Sequence, residues 1–121
     1  MEPLGRLQLR IMHHIWKTGP CTVQEMHAAM NAIQATRSLA YTTFLTVLRN
    51  LTKRGFLEQV KGNRAHVFVP LIDERTYKLA QVRQMRQDFC GGDVAVLLGY
   101  LAQDEEIDAG KREQLMAIAN G

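Results

Sequence analysis

From Ser38 to Phe56 the chain carries no aspartate or glutamate, and its apolar residues recur at helical spacing, with Phe44, Val47, Leu48 and Leu51 on one face. Thr42, Thr46, Arg49 and Lys53 fall on the opposite face, which is short and polar at one end and cationic at the other. The spacing predicts a helix over roughly Leu39 to Arg54, with Gly55 placed to end it in a left-handed cap. Directly afterwards the period changes from 3.6 to 2. Phe56 to Lys61 and Arg64 to Val69 read as short strands, and Gly62-Asn63 between them can supply positive φ at both positions of a tight hairpin turn. Pro70 closes the second run.

Upstream, Pro3 suits the first turn of a helix that carries Leu4, Leu7, Ile11 and Ile15 on one stripe with Met12 and Trp16 beside it. Arg6, Arg10, His13 and Lys17 lie opposite. Gly19-Pro20 stops this helix, and Thr22-Val23-Gln24-Glu25 is a capping box, in which the threonine oxygen and the glutamate each satisfy an orphan backbone donor. A second helix follows with Val23, Met26, Met30 and Ile33 as its buried stripe, and the pattern fades into a turn between Asn31 and Ser38. Three amphipathic helices followed by a two-stranded hairpin make a mainly α fold, the winged helix-turn-helix, over residues 1–72.

Residues 73–121 read as a helical tail. Asp73 caps a long helix to about Cys90 with an apolar seam of Leu79, Val82, Met85 and Phe89. Gly91-Gly92 breaks it, and Asp93 caps a short segment, Val94 to Ala102, that is apolar on nearly every side through Val94, Leu97, Leu98 and Leu101. After the acidic linker from Asp104 to Asp108, a last helix carries Leu115, Met116 and Ile118. Such a short apolar helix cannot face water, and a tail of this size is too small for a substantial core of its own. It needs a partner, most simply a second copy, so this seam and these apolar residues, with Leu115 and Ile118, are expected to form a dimerisation region.

Charge divides along the same line. Residues 1–72 hold nine Lys and Arg against three Glu, a net +6, whereas residues 73–121 hold six against nine acids, a net −3. A basic first part suggests contact with a polyanion. The longest apolar run is about half of the roughly 20 residues a membrane span needs, and Met-Glu-Pro-Leu-Gly is no export signal, so a cytoplasmic protein without membrane contact is expected. Cys21 and Cys90 are too few for a disulfide framework. His13 and His14 are adjacent, and His27 and His66 are isolated, so no metal or other cofactor is expected; Cys21 with His27 is the least poor pair. No phosphate loop or catalytic grouping is present, so no enzyme is expected.

The quoted residues resemble the penicillinase-repressor (BlaI/MecI) family of bacterial winged-helix transcriptional repressors. The resemblance rests on Leu9-x-Ile11-Met12-x-x-Ile15-Trp16, on Leu39-Ala40-Tyr41-Thr42-Thr43-x-x-Thr46-x-Leu48-x-x-Leu51, on Lys53-Arg54-Gly55 and on Gly62-x-Arg64-Ala65-His66-x-Phe68-x-Pro70. Phe89-Cys90-Gly91-Gly92-Asp93 looks like the family's Phe-x-Gly-Gly-Ser junction. The resemblance implies a dimer on a palindromic operator, joined through its C-terminal helices. β-Lactam-responsive members are cut at an Asn-Phe bond by a membrane-bound sensor; here Gly99-Tyr100 stands at that place and no Asn-Phe occurs. Copper-responsive relatives carry paired Cys-x-Cys elements, and this tail has Cys90 alone. Neither signal is expected, and any upstream sensor is left unidentified.

The expected DNA contacts follow from chemistry. Solvated helix faces usually mix charge signs, whereas the third helix carries cations without acids. Thr42, Thr43 and Thr46 would approach bases or phosphates of double-stranded DNA, Arg49 and Asn50 either, and Lys53 and Arg54 the backbone. Lys61, Asn63 and Arg64 at the hairpin tip would reach phosphate or minor groove. Tyr41 either stacks or donates to a phosphate, or packs beneath the turn. A homodimeric operator-binding repressor is the leading expectation; a winged-helix module for protein contact and a metal- or ligand-responsive DNA-binding sensor are the alternatives.

Overall fold

Helix α1 (Arg6–Thr18) buries Ile11 and Ile15 of the expected stripe completely, with Met12 beside them; Leu7 and Trp16 are half-buried, and Leu4 lies before the helix. In this computed structural model, which describes residues 1–33 and 38–121 and omits the side chain of Ile33, it is followed by α2 (Val23–Ile33), α3 (Tyr41–Lys53), β1 (Leu57–Lys61), β2 (His66–Pro70), α4 (Glu74–Cys90), α5 (Val94–Ala102) and α6 (Ala109–Asn120). The fold is mainly α with one antiparallel hairpin, the winged helix-turn-helix expected from the sequence. Helix α1 starts later than expected. Gly5 is its N-cap and Pro3 precedes it, because the Gln8 Oε1 accepts the Gly5 N–H at 3.0 Å and opens the helix there.

At the start of α2 the capping box closes as expected. The Glu25 N–H donates to Thr22 Oγ1 at 3.1 Å, and the Thr22 N–H donates to Glu25 Oε1 at 2.9 Å. The expected turn from Asn31 to Ser38 lies largely outside the described residues, as does the Ile33 side chain. Its exit is fixed by a clamp that spacing does not announce. The Asn31 amide nitrogen donates to the Leu39 carbonyl at 2.9 Å, and its oxygen accepts the Leu39 N–H at 3.0 Å. With both backbone groups so committed, Leu39 stays out of the helical ladder, which moves the start of α3 to Tyr41.

The core of the first unit, Glu2–Tyr77, gathers Ile11, Met12 and Ile15 with Met26, Phe44, Leu48, Leu51, Phe56, Leu57 and Phe68. Phe44, Leu48 and Leu51 are the α3 residues predicted to face inward; Val47 is half-buried at the margin. Gly55, at φ 83°, takes the left-handed cap. The sequence boundary at 72/73 shifts to 77/78. Tyr77 is buried between the rings of Trp16 and Phe56, at 5.8 and 5.6 Å, and its hydroxyl accepts the Leu4 N–H at 2.7 Å. The first turn of α4 is therefore part of this core.

Pairing runs from Leu57 with Pro70 to Lys61 with His66. This leaves a four-residue loop, Gly62 to Ala65, closed by the Gly62 N–H on the Ala65 carbonyl at 3.0 Å. The expected two-residue turn is corrected, since neither Gly62 nor Asn63 has a positive φ, and Arg64 lies in the loop rather than the strand. Glycine is required at 62 for space: a Cβ there would stand 2.4 Å from the Ala65 carbonyl oxygen. A bridge missed by the sequence reading adds Cys21 beside Phe68, with bonds of 3.2 and 2.8 Å between their backbones.

The second unit, Lys78–Gly121, holds the rest of α4 with α5 and α6. Gly91 and Gly92, at φ 58° and 86°, break the chain as expected, and Asp93 caps α5 by accepting the Ala95 N–H at 2.9 Å. Asp108 does the same for α6 at Lys111. Among the described residues of this unit only Cys90 and Ala102 are buried, and Phe89 and Ile118 are 75% and 65% exposed.

Gly62→Ala should destabilise the first unit by roughly 1–3 kcal/mol, because the obstacle is backbone rather than a movable side chain. Asn63→Gly should be nearly neutral. Thermal unfolding of both variants checks the correction from a φ requirement to a space requirement, since a two-residue turn with positive φ at both positions would make Asn63→Gly stabilising.

Candidate nucleic-acid interface

The outer side of α3 is set by which residues the core takes. With Phe44, Leu48 and Leu51 inward, Thr42, Thr46, Arg49, Asn50 and Lys53 are exposed, and Thr43 is half-buried. The Thr46 hydroxyl donates to the Thr42 carbonyl at 2.9 Å, which commits its proton within the helix. Tyr41 is half-exposed, and its ring stands edge-on to His27 at 5.9 Å.

Lys61, Asn63 and Arg64 are exposed at the hairpin tip. Between hairpin and α3 lies a cleft of about 340 Å³, walled by Tyr41, Leu45 and Arg49 on the helix and by Gln59, Ala65 and His66 on the hairpin, with Thr22 and Gln24 at its end. Arg49 and Tyr41 thus share a wall about two helical turns apart, with Leu45 between them. The structure brings α3, the start of α2 and the hairpin together around this cleft. Gln24, Gln59 and His66 were missed by the sequence reading. The alternation of the hairpin held the signal for the last two, since they continue the face on which Leu57 and Phe68 are buried.

Arg54 is placed apart from the other cations. Its guanidinium donates to Gln8 Oε1 at 2.8 Å and to the carbonyls of Glu2 and Pro3 at 3.0 and 3.3 Å, and it stands 5.3 Å from the centre of the Phe56 ring. Its fork ties the N-terminal segment to the end of α3.

The sequence profile of the penicillinase repressor family fits residues 4–120. The chain belongs to that family. It is a family of repressors, not of enzymes. Similar proteins include the transcriptional regulator BlaI of Mycobacterium tuberculosis, 42% identical over 69 residues, which are 56% of this chain and 48% of that protein. The penicillinase repressor of Bacillus licheniformis is 27% identical over 99 residues, 81% of this chain and 75% of its own length. The chain spans about half the length of the Mycobacterium relatives it matches. Among solved structures, the solution structure of the DNA-binding domain of the repressor BlaI aligns with a TM-score of 0.53 at 29% identity, over 64% of this chain and 94% of that domain.

In this member of the penicillinase repressor family the cysteines are placed as packing residues. Both are buried, and burial pushes the Cys21 thiol up to about 11, helped by the nearby Glu25 carboxylate. Among the described residues no three His, Cys, Asp or Glu side chains converge where a metal ion could sit, and no helix is long and apolar enough to cross a membrane.

Arg54→Ala should lower stability by about 1 kcal/mol, because three acceptors lose a charged donor. Lys53→Ala, whose side chain is exposed, should leave the melting temperature nearly unchanged. Equal melting temperatures for the two variants would remove Arg54 from its tethering role.

Proposed function

We propose that the chain is a homodimeric transcriptional repressor, acting in the cytoplasm on double-stranded DNA, whose two α3 helices enter successive major grooves of a palindromic operator. The observation that carries this reading is the exposed, acid-free outer face of α3, set beside a hairpin that presents Lys61, Asn63 and Arg64. The names of its relatives, a transcriptional regulator and a penicillinase repressor, point the same way. Thr42, Thr43 and Thr46 are short enough for α3 to approach base edges, and a threonine methyl suits a thymine methyl. Arg49 and Asn50 read bases or reach the backbone, Tyr41 donates to a phosphate, and Lys53 with the hairpin cations holds the backbone. Arg54 would reach DNA only by giving up bonds it makes within the chain.

Dimerisation falls to the second unit. Leu79, Val82, Met85 and Phe89 are exposed along α4, and Val94 and Leu101 on α5 and Ile118 on α6 are exposed as well; Leu97, Leu98 and Leu115 are half-buried. So much apolar surface on so small a unit suits a symmetric interface with a second copy.

Selection of duplexes from a random pool by the full chain should enrich a palindrome. On that duplex Arg49→Ala, where its guanidinium reads a guanine, should cost on the order of 1–3 kcal/mol and relax one base preference, whereas Lys53→Ala should weaken all sequences alike. An unchanged Arg49→Ala variant would take base reading away from this face of α3. Sedimentation of the full chain at micromolar concentration should give a dimer, and a monomer would overturn the assignment of the second unit.

A further inference from the structure

The hairpin has an inner and an outer face. Leu57 pairs with Pro70, Gln59 with Phe68 and Lys61 with His66, so strand alternation puts Leu57, Gln59 and Lys61 on the same face as Phe68 and His66. Burial of Leu57 and Phe68 makes this the face turned toward the helices. Beyond Phe68 the face leaves the core, and Gln59 and His66 stand exposed on the hairpin wall of the cleft, with Arg49 on the helix wall. These two side chains are not independent, because the Gln59 amide nitrogen is hydrogen-bonded to His66 Nδ1.

That bond bears on what the imidazole offers. An amide N–H given to Nδ1 makes Nδ1 an acceptor and leaves the ring proton on Nε2. With a protonated ring, the amide turned over presents its oxygen to the Nδ1 proton, and Nε2 remains a donor. In these two arrangements Gln59 occupies one edge of the ring and an N–H donor is left on the other. A donor on the hairpin wall, in a cleft whose helix wall carries Arg49, suits an anionic group.

We propose that His66, its ring oriented by Gln59, is a further contact to a DNA phosphate, closing the hairpin side of the cleft on the backbone strand that Arg49 flanks from the helix side. This rests on the reading of α3 as the major-groove helix, since the strand running between a helix in the groove and a hairpin beside it presents phosphates there. Gln59 is a positioning residue. It touches the imidazole, and the imidazole touches DNA.

The test uses the full chain, the duplex enriched from the random pool and an unrelated duplex of equal length. His66→Ala should weaken binding to both by about 3–10-fold, because a phosphate contact carries no sequence information. His66→Gln should stay within about twofold of the parent, since its amide nitrogen reaches the place of the ring Nε2. In long-range ¹H–¹⁵N spectra at pH 8, His66 of the parent protein should show the Nε2–H tautomer, and Gln59→Ala should mix the tautomers and weaken binding less than His66→Ala does. Both residues are exposed, so the melting temperatures should coincide. Parent-like affinity of His66→Ala, a loss confined to the selected duplex, or a His66→Gln variant as weak as His66→Ala would overturn the proposal while leaving the reading of α3 intact. Failure of the parent protein to bind either duplex would overturn both.

Discussion

The backbone bridge between Cys21 and Phe68 is the contact on which the rest of the first unit depends. A two-stranded hairpin is marginal alone in water. Here β2 is held on both sides, by β1 along its length and by Cys21 at Phe68, while the Phe68 ring is buried in the helical core. The hairpin is thereby part of the domain rather than an appendage to it. The same bridge lies next to Thr22, whose capping box begins α2, so the start of α2 and the inner face of the hairpin are fixed to each other across two residues. The cleft beside α3 follows from that arrangement.

Two further ties set the ends of α3. At its start the Asn31 clamp holds Leu39 outside the helix, and at its end Arg54 gathers the segment from Glu2 to Gln8. Both are polar contacts made over distance in the sequence, and both act on the helix whose outer face carries the proposed readers. The orientation of that face is governed by the inward residues Phe44, Leu48 and Leu51. A core of aromatic and branched side chains packs at near-crystalline density and does not let a helix rotate about its axis, so the positions of Thr42, Thr46 and Arg49 are consequences of burial elsewhere.

The second unit is organised differently. Its turns are well specified, with glycines at positive φ after α4 and aspartate caps on α5 and α6, yet its apolar side chains are largely exposed. Local structure there is strong and burial is weak. A cavity of about 410 Å³ lined by Met85, Phe89, Leu97, Tyr100 and Leu101 lies on the surface proposed for a second copy. The acidic balance of this part of the chain separates it chemically from the basic first unit.

The sequence alone determined what depends on local periodicity and local bonding. The α1 and α3 stripes, the capping box at Thr22, the left-handed cap at Gly55 and the break at Gly91-Gly92 are each decided within four or five residues, by the 3.6-residue repeat or by the steric freedom of glycine, and all are found in the structure. Family membership was legible for the same reason, since most of its signatures lie in those elements and the rest in the short hairpin. Only the tertiary structure decided what joins residues far apart in the chain. It drew Tyr77 into the first core, committed the guanidinium of Arg54 to the N-terminal segment, gave Gly62 its role through the nearness of the Ala65 carbonyl rather than through φ, and set Gln59 and His66 in one cleft with Arg49. Periodicity tells which side of an element is buried. It does not tell which partner lies against the other side, because that follows from the packing of the whole core.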